Sequence, residues 1–278
     1  MTNTMACKVC GSKSYYCHQH SDAKIYRCKD CSHCFSILNE DIEDESYSPS
    51  YFEETHKNWF ENPNYSLFKK ISVNMISNNS QIKVLDIGCG NLDFLKYLRR
   101  SYDKIELTGI DFSDQKEIPC INFIKEDFLT FENTLKYDLV YSIMTVEHID
   151  NVSLFSKKLY SHVKPGGTLI LTTINENSIL YKCSLIVKSL GFSQAFNRLY
   201  SKHHINHFTP KSLAKLLVLQ GFEKYRYLWH NVPLKSLDIP AKSKSSRFIL
   251  KLFVYFLFLI GSFTKRTYCQ TIIAKRPN

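Results

Sequence analysis

VLDIGCGNLDFL, Val84–Leu95, runs an apolar segment into an aspartate, sets two glycines two residues apart, and continues into what reads as a helix. A strand ending in an acidic, glycine-bearing turn that feeds a helix makes a cradle for a small ligand, because backbone amides at glycine can approach it without a Cβ in between. From Ile82 onward the chain alternates short β-type runs with helical ones, the sequence form of an open, mostly parallel, doubly wound α/β sheet covered on both faces. Strands are predicted at Lys83–Ile87, Glu106–Ile110, Ile121–Ile124, Asp138–Ile143, Thr168–Thr173, Phe222–Trp229 and Tyr268–Ala274, a sheet of seven. Helices are predicted at Asp93–Arg100 and Val152–His162, and again from a Thr209 cap with Pro210 at the first helical position to Gln220, where Gly221 stops it.

Ligands of doubly wound sheets bind beyond the carboxyl ends of the strands. Asp86 closes the first strand, Asp111 the second, and Asp127 follows the third. Carboxylates so placed would repel a phosphate-rich ligand and favour a cationic or hydroxyl-rich one.

At the other end, CKVCGSKSYYCHQHSDAKIYRCKDCSHCF supplies Cys7-x2-Cys10 and Cys28-x2-Cys31. Two such turns can close a tetrahedral site of four thiolates, which leaves no open coordination position and so marks a structural zinc. Cys17, Cys34, His18, His20 and His33 are alternative ligands; Cys34, in the run Cys34–Leu38, reads as a core residue of the ribbon's last strand. The expected organisation is a zinc ribbon over 1–40, a linker and N-terminal helical segment over 41–80 (including the acidic Asn39–Ser46, with Tyr47–Phe68 packing back on the main domain), and a ligand-binding domain over 81–278, with a substrate cover around 176–208 and an apolar helix at 246–263.

The 278 residues carry a net charge of +10 that is unevenly spread: the chain is slightly acidic up to Asn175, then has 17 Lys+Arg against 3 Asp+Glu from Glu176 to Asn278. That basic third suits a phosphorylated substrate, an anionic membrane or nucleic acid. Nucleic acid is disfavoured, since the ribbon has no positive excess and its aromatic residues are not interleaved with Lys or Arg. Phe248–Phe263 is apolar on every helical face with basic flanks (Lys242, Lys244, Arg247, Lys265, Arg266), at about 16 residues short of the ~20 that span a bilayer, so it reads as a helix seated on a membrane surface or buried in the protein. Paired cysteines and an N-terminus without a secretory pattern place the protein in the cytoplasm, at the inner face of the membrane if that helix binds lipid.

VLDIGCG, then GID, KEDF, YDLVYSIMTVEHIDN and VKPGGTLILTT, in that order and spacing, resemble the class I S-adenosylmethionine-dependent methyltransferases. EH after the fourth strand, KPGG before the fifth and HINHFTPKSL later resemble the ubiquinone-biosynthesis-like O-methyltransferases, some relatives of which carry a similar ribbon. The resemblance implies S-adenosylmethionine as cofactor, with Gly88 and Gly90 near its methionine part, Asp86 facing its cationic end, Asp111 on the ribose hydroxyls, Asp127 and the Phe128 amide at the adenine edge, and Ile143 and Met144 on the floor. It implies transfer to a hydroxyl of a small or lipid-linked precursor of sugar or quinone type; sugar C-methylation, RNA methylation and a non-catalytic ribbon protein are the alternatives. An oxygen acceptor must lose a proton, and His148 is the candidate base with Glu147 orienting it or the ligand. His203, His204 and His207 form a second cluster, of acceptor-binding or metal-ligating type. Leu92 stands where the family often has a third glycine.

Overall fold

The computed structural model describes residues 4–40, 57–77, 81–239 and 243–278. Most of the acidic linker, Tyr47–His56 and Lys242 lie outside the described residues.

Five antiparallel strands form the N-terminal sheet, in the order β1 (Thr4–Ala6), β2 (Lys13–Gln19), β3 (Ala23–Cys28), β4 (Cys34–Leu38) and β10 (Asn206–His207). The last of these comes from 170 residues away: Asn206 pairs with Phe35 and His207 with Cys34. The ribbon therefore completes its sheet with a strand from the segment expected to cover the substrate. Cys7, Cys28 and Cys31 share one apolar core with Phe208, Leu213 and Val140, so the ribbon is built onto the larger sheet and is no tethered appendage.

That larger sheet has seven strands in the order β11 (Glu223–His230), β12 (Cys269–Lys275), β9 (Val163–Ile174), β8 (Tyr137–Ile143), β5 (Lys83–Ile87), β6 (Glu106–Asp111) and β7 (Ile121–Lys125). β9, β8, β5, β6 and β7 are mutually parallel, and β12 runs antiparallel to both β9 and β11. The central strands are buried along nearly their whole length, as strands covered on both faces must be. The strand order reverses at β5, the point where such sheets open a crevice at their carboxyl rim.

Helices α1 (Lys57–Glu61) and α2 (Tyr65–Ser72) precede the sheet, and α3 (Asp93–Ser101), α4 (Val152–His162) and α7 (Pro210–Val218) connect its strands. Asn64, Asn151 and Thr209 cap α2, α4 and α7 by accepting main-chain amides three residues on. Between β9 and β10 lie α5 (Ile179–Ser189) and α6 (Gln194–Leu199); between β11 and β12 lies α8 (Lys244–Phe263). The last is a turn longer than its apolar run, because Ser243 and Ser246 form a capping box that draws Lys244–Arg247 into the helix.

Candidate active site

Four strand ends, those of β5, β6, β8 and β9, carry the polar groups of the rim. At the end of β5 the chain turns through Gly88 (φ 68°) and Gly90 (φ 48°). A Cβ on Gly88 would fall 2.3 Å from Thr145 Oγ1, so this glycine is needed for space as well as for its backbone angle. Thr145 cannot give way easily, since its hydroxyl donates to the Ile87 carbonyl at 3.3 Å. Gly90 has nothing within 4 Å of its absent Cβ, which leaves the loop open on that side. Leu92 takes the left-handed conformation (φ 62°) that a glycine would take here, and its side chain is buried against the β5–α3 core. The departure from the glycine pattern thus keeps the turn and adds an apolar anchor beneath it.

Asp111, at the end of β6, reaches back to this loop. Its Oδ2 accepts the Gly90 amide at 2.9 Å, while Oδ1 accepts the Ser113 amide at 2.9 Å and the Ser113 hydroxyl at 2.6 Å. A carboxylate offers about four acceptor positions, so one on Oδ2 is left for a ligand hydroxyl. Accepting both hydroxyls of a ribose requires the Ser113 side chain to turn away. Asp86 is almost fully buried, and its Oδ1 has no hydrogen-bond partner. Burial, with the nearby Asp111 charge adding to it, holds the Asp86 carboxyl well above the usual range. A buried carboxyl in that state is the group a cation or a donor at the rim would stabilise most.

Asp127 is exposed, and its Oδ1 accepts the Leu129 amide at 2.9 Å, capping its own turn. The Phe128 ring is committed to the core against Phe155 and His162, so only its main chain is left for a ligand. Ile143 ends β8, and Met144 follows with φ 57°, its amide donating to the Thr172 carbonyl on β9. Met144 packs with Tyr268 and Leu180, forming the wall toward β12 and α5.

Glu147 and His148 occupy a single 3₁₀ turn just beyond β8. Glu147 is fully buried: Oε2 accepts the Thr173 hydroxyl at 2.9 Å, and Oε1 has no partner. Burial pushes its carboxyl up to about 7. His148 is half-buried, and its Nδ1 lies 2.7 Å from the His203 carbonyl. A carbonyl only accepts, so Nδ1 carries the proton and Nε2 bears the lone pair, the arrangement of a ring poised to take a proton through Nε2. The His204 ring lies 4.9 Å from it.

The three later histidines do not converge. His203 holds His148 through its carbonyl, His204 packs on the same ring, and His207 is buried in the ribbon seam with Nε2 3.0 Å from the Ser36 hydroxyl. Among the described residues, the thiols of Cys7, Cys10, Cys28 and Cys31 are the one group whose ligand atoms all lie within 4.8 Å of one another. The alternative ligands are engaged elsewhere: His33 Nε2 meets Asn206 Oδ1 at 3.2 Å, His20 Nε2 meets the Asn197 carbonyl at 3.0 Å, and Cys17 donates to the Ile25 carbonyl. Cys34 is wholly buried as a core residue.

Reading the sequence misses the polar link between ribbon and cover. Arg27 on β3 donates to both carboxylate oxygens of the buried Glu176, which also accepts the Tyr200 hydroxyl at 2.8 Å. Arginine and glutamate so far apart carry no spacing signal; the only hint was an acid at the end of an apolar strand.

The methyltransferase-domain family profile matches residues 55–227, more than half of the chain. A ubiquinone biosynthesis O-methyltransferase of Rickettsia bellii (strain OSU 85-389) is 28% identical over 134 residues, covering 44% of this chain and 55% of that protein, so the chain spans about half the length of this curated relative. Among solved structures, a SAM-dependent methyltransferase from Archaeoglobus fulgidus superposes with a TM-score of 0.52 at 20% identity, over 81% of this chain and 99% of that one. Phosphoethanolamine N-methyltransferase 2 of Haemonchus contortus gives 0.58 at 12% identity, over 88% and 62%. At such identities the structural likeness speaks for the fold, and this strand order, this glycine loop and the matched profile together place the chain in the methyltransferase-domain family.

Proposed function

We propose that the protein is an S-adenosylmethionine-dependent methyltransferase that acts on a hydroxyl of a small or lipid-linked precursor, of sugar or quinone type, at the cytoplasmic side of a membrane. The observation that carries the cofactor assignment is the clasp of Gly90 by Asp111 beside the buried, unpartnered Asp86 oxygen. These residues fit the group: an open amide loop at Gly90, an acceptor position on Asp111 for a ribose hydroxyl, and a buried carboxyl suited to a neighbouring positive charge. When bound, S-adenosylmethionine supplies a methyl group on a cationic sulfur. The chain's own task is to hold an acceptor in line and exclude water.

For an oxygen acceptor, His148 Nε2 takes the hydroxyl proton while the His203 carbonyl holds Nδ1–H and so fixes the tautomer. Glu147, buried behind it, orients the rim through Thr173. The free state of all ten cysteines fits a reducing, cytoplasmic setting. The four converging thiols suit one structural zinc, whose role is to fix the ribbon against β10.

Transfer of labelled methyl from S-adenosylmethionine to phenolic and sugar hydroxyls tests this reading. His148→Gln is expected to lower kcat on a hydroxyl acceptor about 10²-fold or more, with cofactor affinity kept. An unchanged kcat would remove His148 as the base, and methyl recovered on carbon would overturn the hydroxyl assignment.

A further inference from the structure

The largest apolar surface of the molecule is α8, and only Phe258 and Gly261 of its twenty residues are buried. Its inner stripe is narrow: Val254 and Phe258 pack on Val232, Tyr268 and Cys269. Outward stand Phe248, Ile249, Phe253, Phe256, Ile260 and Phe263, from 47% to 86% exposed. The neighbouring α5 adds exposed Ile186 and Leu190, with Phe192 just beyond it. Contiguous apolar surface on this scale marks an interaction site.

Two features bear on what covers it. No acidic residue occurs from Ser243 to Tyr268, whereas exposed Lys244 and Arg247 sit at one end of α8 and exposed Lys265 and Arg266 at the other. A second copy paired through the same face would set cationic ends against cationic ends in either orientation, which opposes a symmetric dimer. An anionic lipid surface meets both the apolar face and its basic ends.

At twenty residues α8 is about 30 Å long, enough to cross a bilayer by length alone. Its ends forbid that. β11 closes at His230, which pairs with Cys269, the first residue of β12, so the chain leaves and re-enters the sheet at one rim. Asn231 donates to the Phe258 carbonyl and to Ser262 near the C-terminal end of α8, and the Arg266 amide donates to the Gly261 carbonyl, which tie that half of the helix along the rim. Ile174, the last residue of β9, pairs with the same Cys269. The helix therefore lies across the edge that also carries Met144 and Glu147, with the Phe258 ring stacked on Tyr268 at 6.1 Å and Tyr268 on Tyr181 at 6.4 Å.

We propose that α8, with the exposed tip of α5, lies in the plane of an anionic bilayer and seats the catalytic rim against it, so that an acceptor with an apolar tail enters sideways from lipid past Phe258 and Tyr268. The lateral entry rests on the methyltransferase reading; the docking does not.

Flotation of the full chain tests it, with phosphatidylcholine vesicles containing phosphatidylglycerol set against vesicles of phosphatidylcholine alone. The protein should rise with the anionic vesicles and be released by salt. Replacing Lys244, Arg247, Lys265 and Arg266 by glutamine should weaken binding roughly 100-fold or more, at about five-fold per cation. The triple variant Ile249→Glu, Phe253→Glu, Phe256→Glu should stay in solution while its heat of S-adenosylmethionine binding matches the parent's, which shows that it folds. Wild type that ignores both vesicle types would overturn the proposal, as would binding that the triple variant retains, or a dimer in solution that the triple variant abolishes. Flotation without any cofactor heat would sink the methyltransferase reading and leave the docking standing.

Discussion

Asp111 Oδ2 accepts the Gly90 amide at 2.9 Å, so the carboxylate that ends the second strand of the parallel sheet is bonded to the loop that ends the first. This single bond sets the distance between the two halves of the crevice before any ligand arrives. It also sets the site's selectivity for a ligand with donors, since the carboxylate retains acceptor capacity and the rim around it carries a second, buried carboxyl at Asp86.

Leu92 should reverse the usual order of truncation. A left-handed non-glycine residue costs about 1–2 kcal/mol, and a buried leucine lost to alanine costs about 2–5 kcal/mol. Leu92→Ala keeps the strain and leaves a cavity; Leu92→Gly leaves the same cavity and relieves the strain. Urea unfolding is expected to show the glycine variant about 1 kcal/mol more stable than the alanine variant. The opposite order would mean that the turn is not strained.

Glu147 should make stability fall with rising pH. Between its ordinary value of 4.5 and the raised value of about 7, the folded chain holds a proton that the unfolded chain has released. This group's contribution is therefore fully present below the unfolded value and lost as pH rises through 7. Glu147→Gln should gain stability relative to wild type on going from about pH 5 to about pH 8, by on the order of 3 kcal/mol. Parallel pH profiles for the two proteins would contradict the buried carboxyl.

Arg27→Ala should loosen the ribbon seam, because it leaves the buried Glu176 without its cation. Arg27 keeps a third of its side-chain surface in water, so the cost is set below that of a fully buried pair, at about 2–3 kcal/mol. The double variant Arg27→Met, Glu176→Gln should recover most of it. A double variant no better than the single one would place the effect in packing instead of charge.

Metal analysis of the purified chain should return about one zinc per chain, and Cys10→Ser should lower both the zinc content and the midpoint of thermal unfolding. A full-strength fold with no metal would show that the four thiols pack without an ion.

The parallel sheet could be read from the sequence because its strands are short, apolar and punctuated by Asp86, Asp111 and the Gly88–Gly90 turn, all local signals. The paired cysteines are local signals as well. What the sequence hides is set by tertiary contact. Asn206–His207 is too short to register as a strand, yet it completes the ribbon sheet because Phe35 and Cys34 offer it an edge. His203 looked like one third of a histidine cluster, while its part here is played by its carbonyl, which every residue has. An apolar run such as Phe248–Phe263 gives no clue to which stripe is covered; only the positions of Val232, Tyr268 and Cys269 decide that.

The account rests on a rim that captures a cationic nucleoside through Asp111 and the glycine loop. Calorimetric titration of S-adenosylmethionine into the wild-type chain and into Asp111→Ala tests it most directly. Saturable heat for the wild type, with binding about ten-fold or more weaker in the variant, is the predicted result. Equal affinity in the two proteins, or no heat from the wild type, would contradict it.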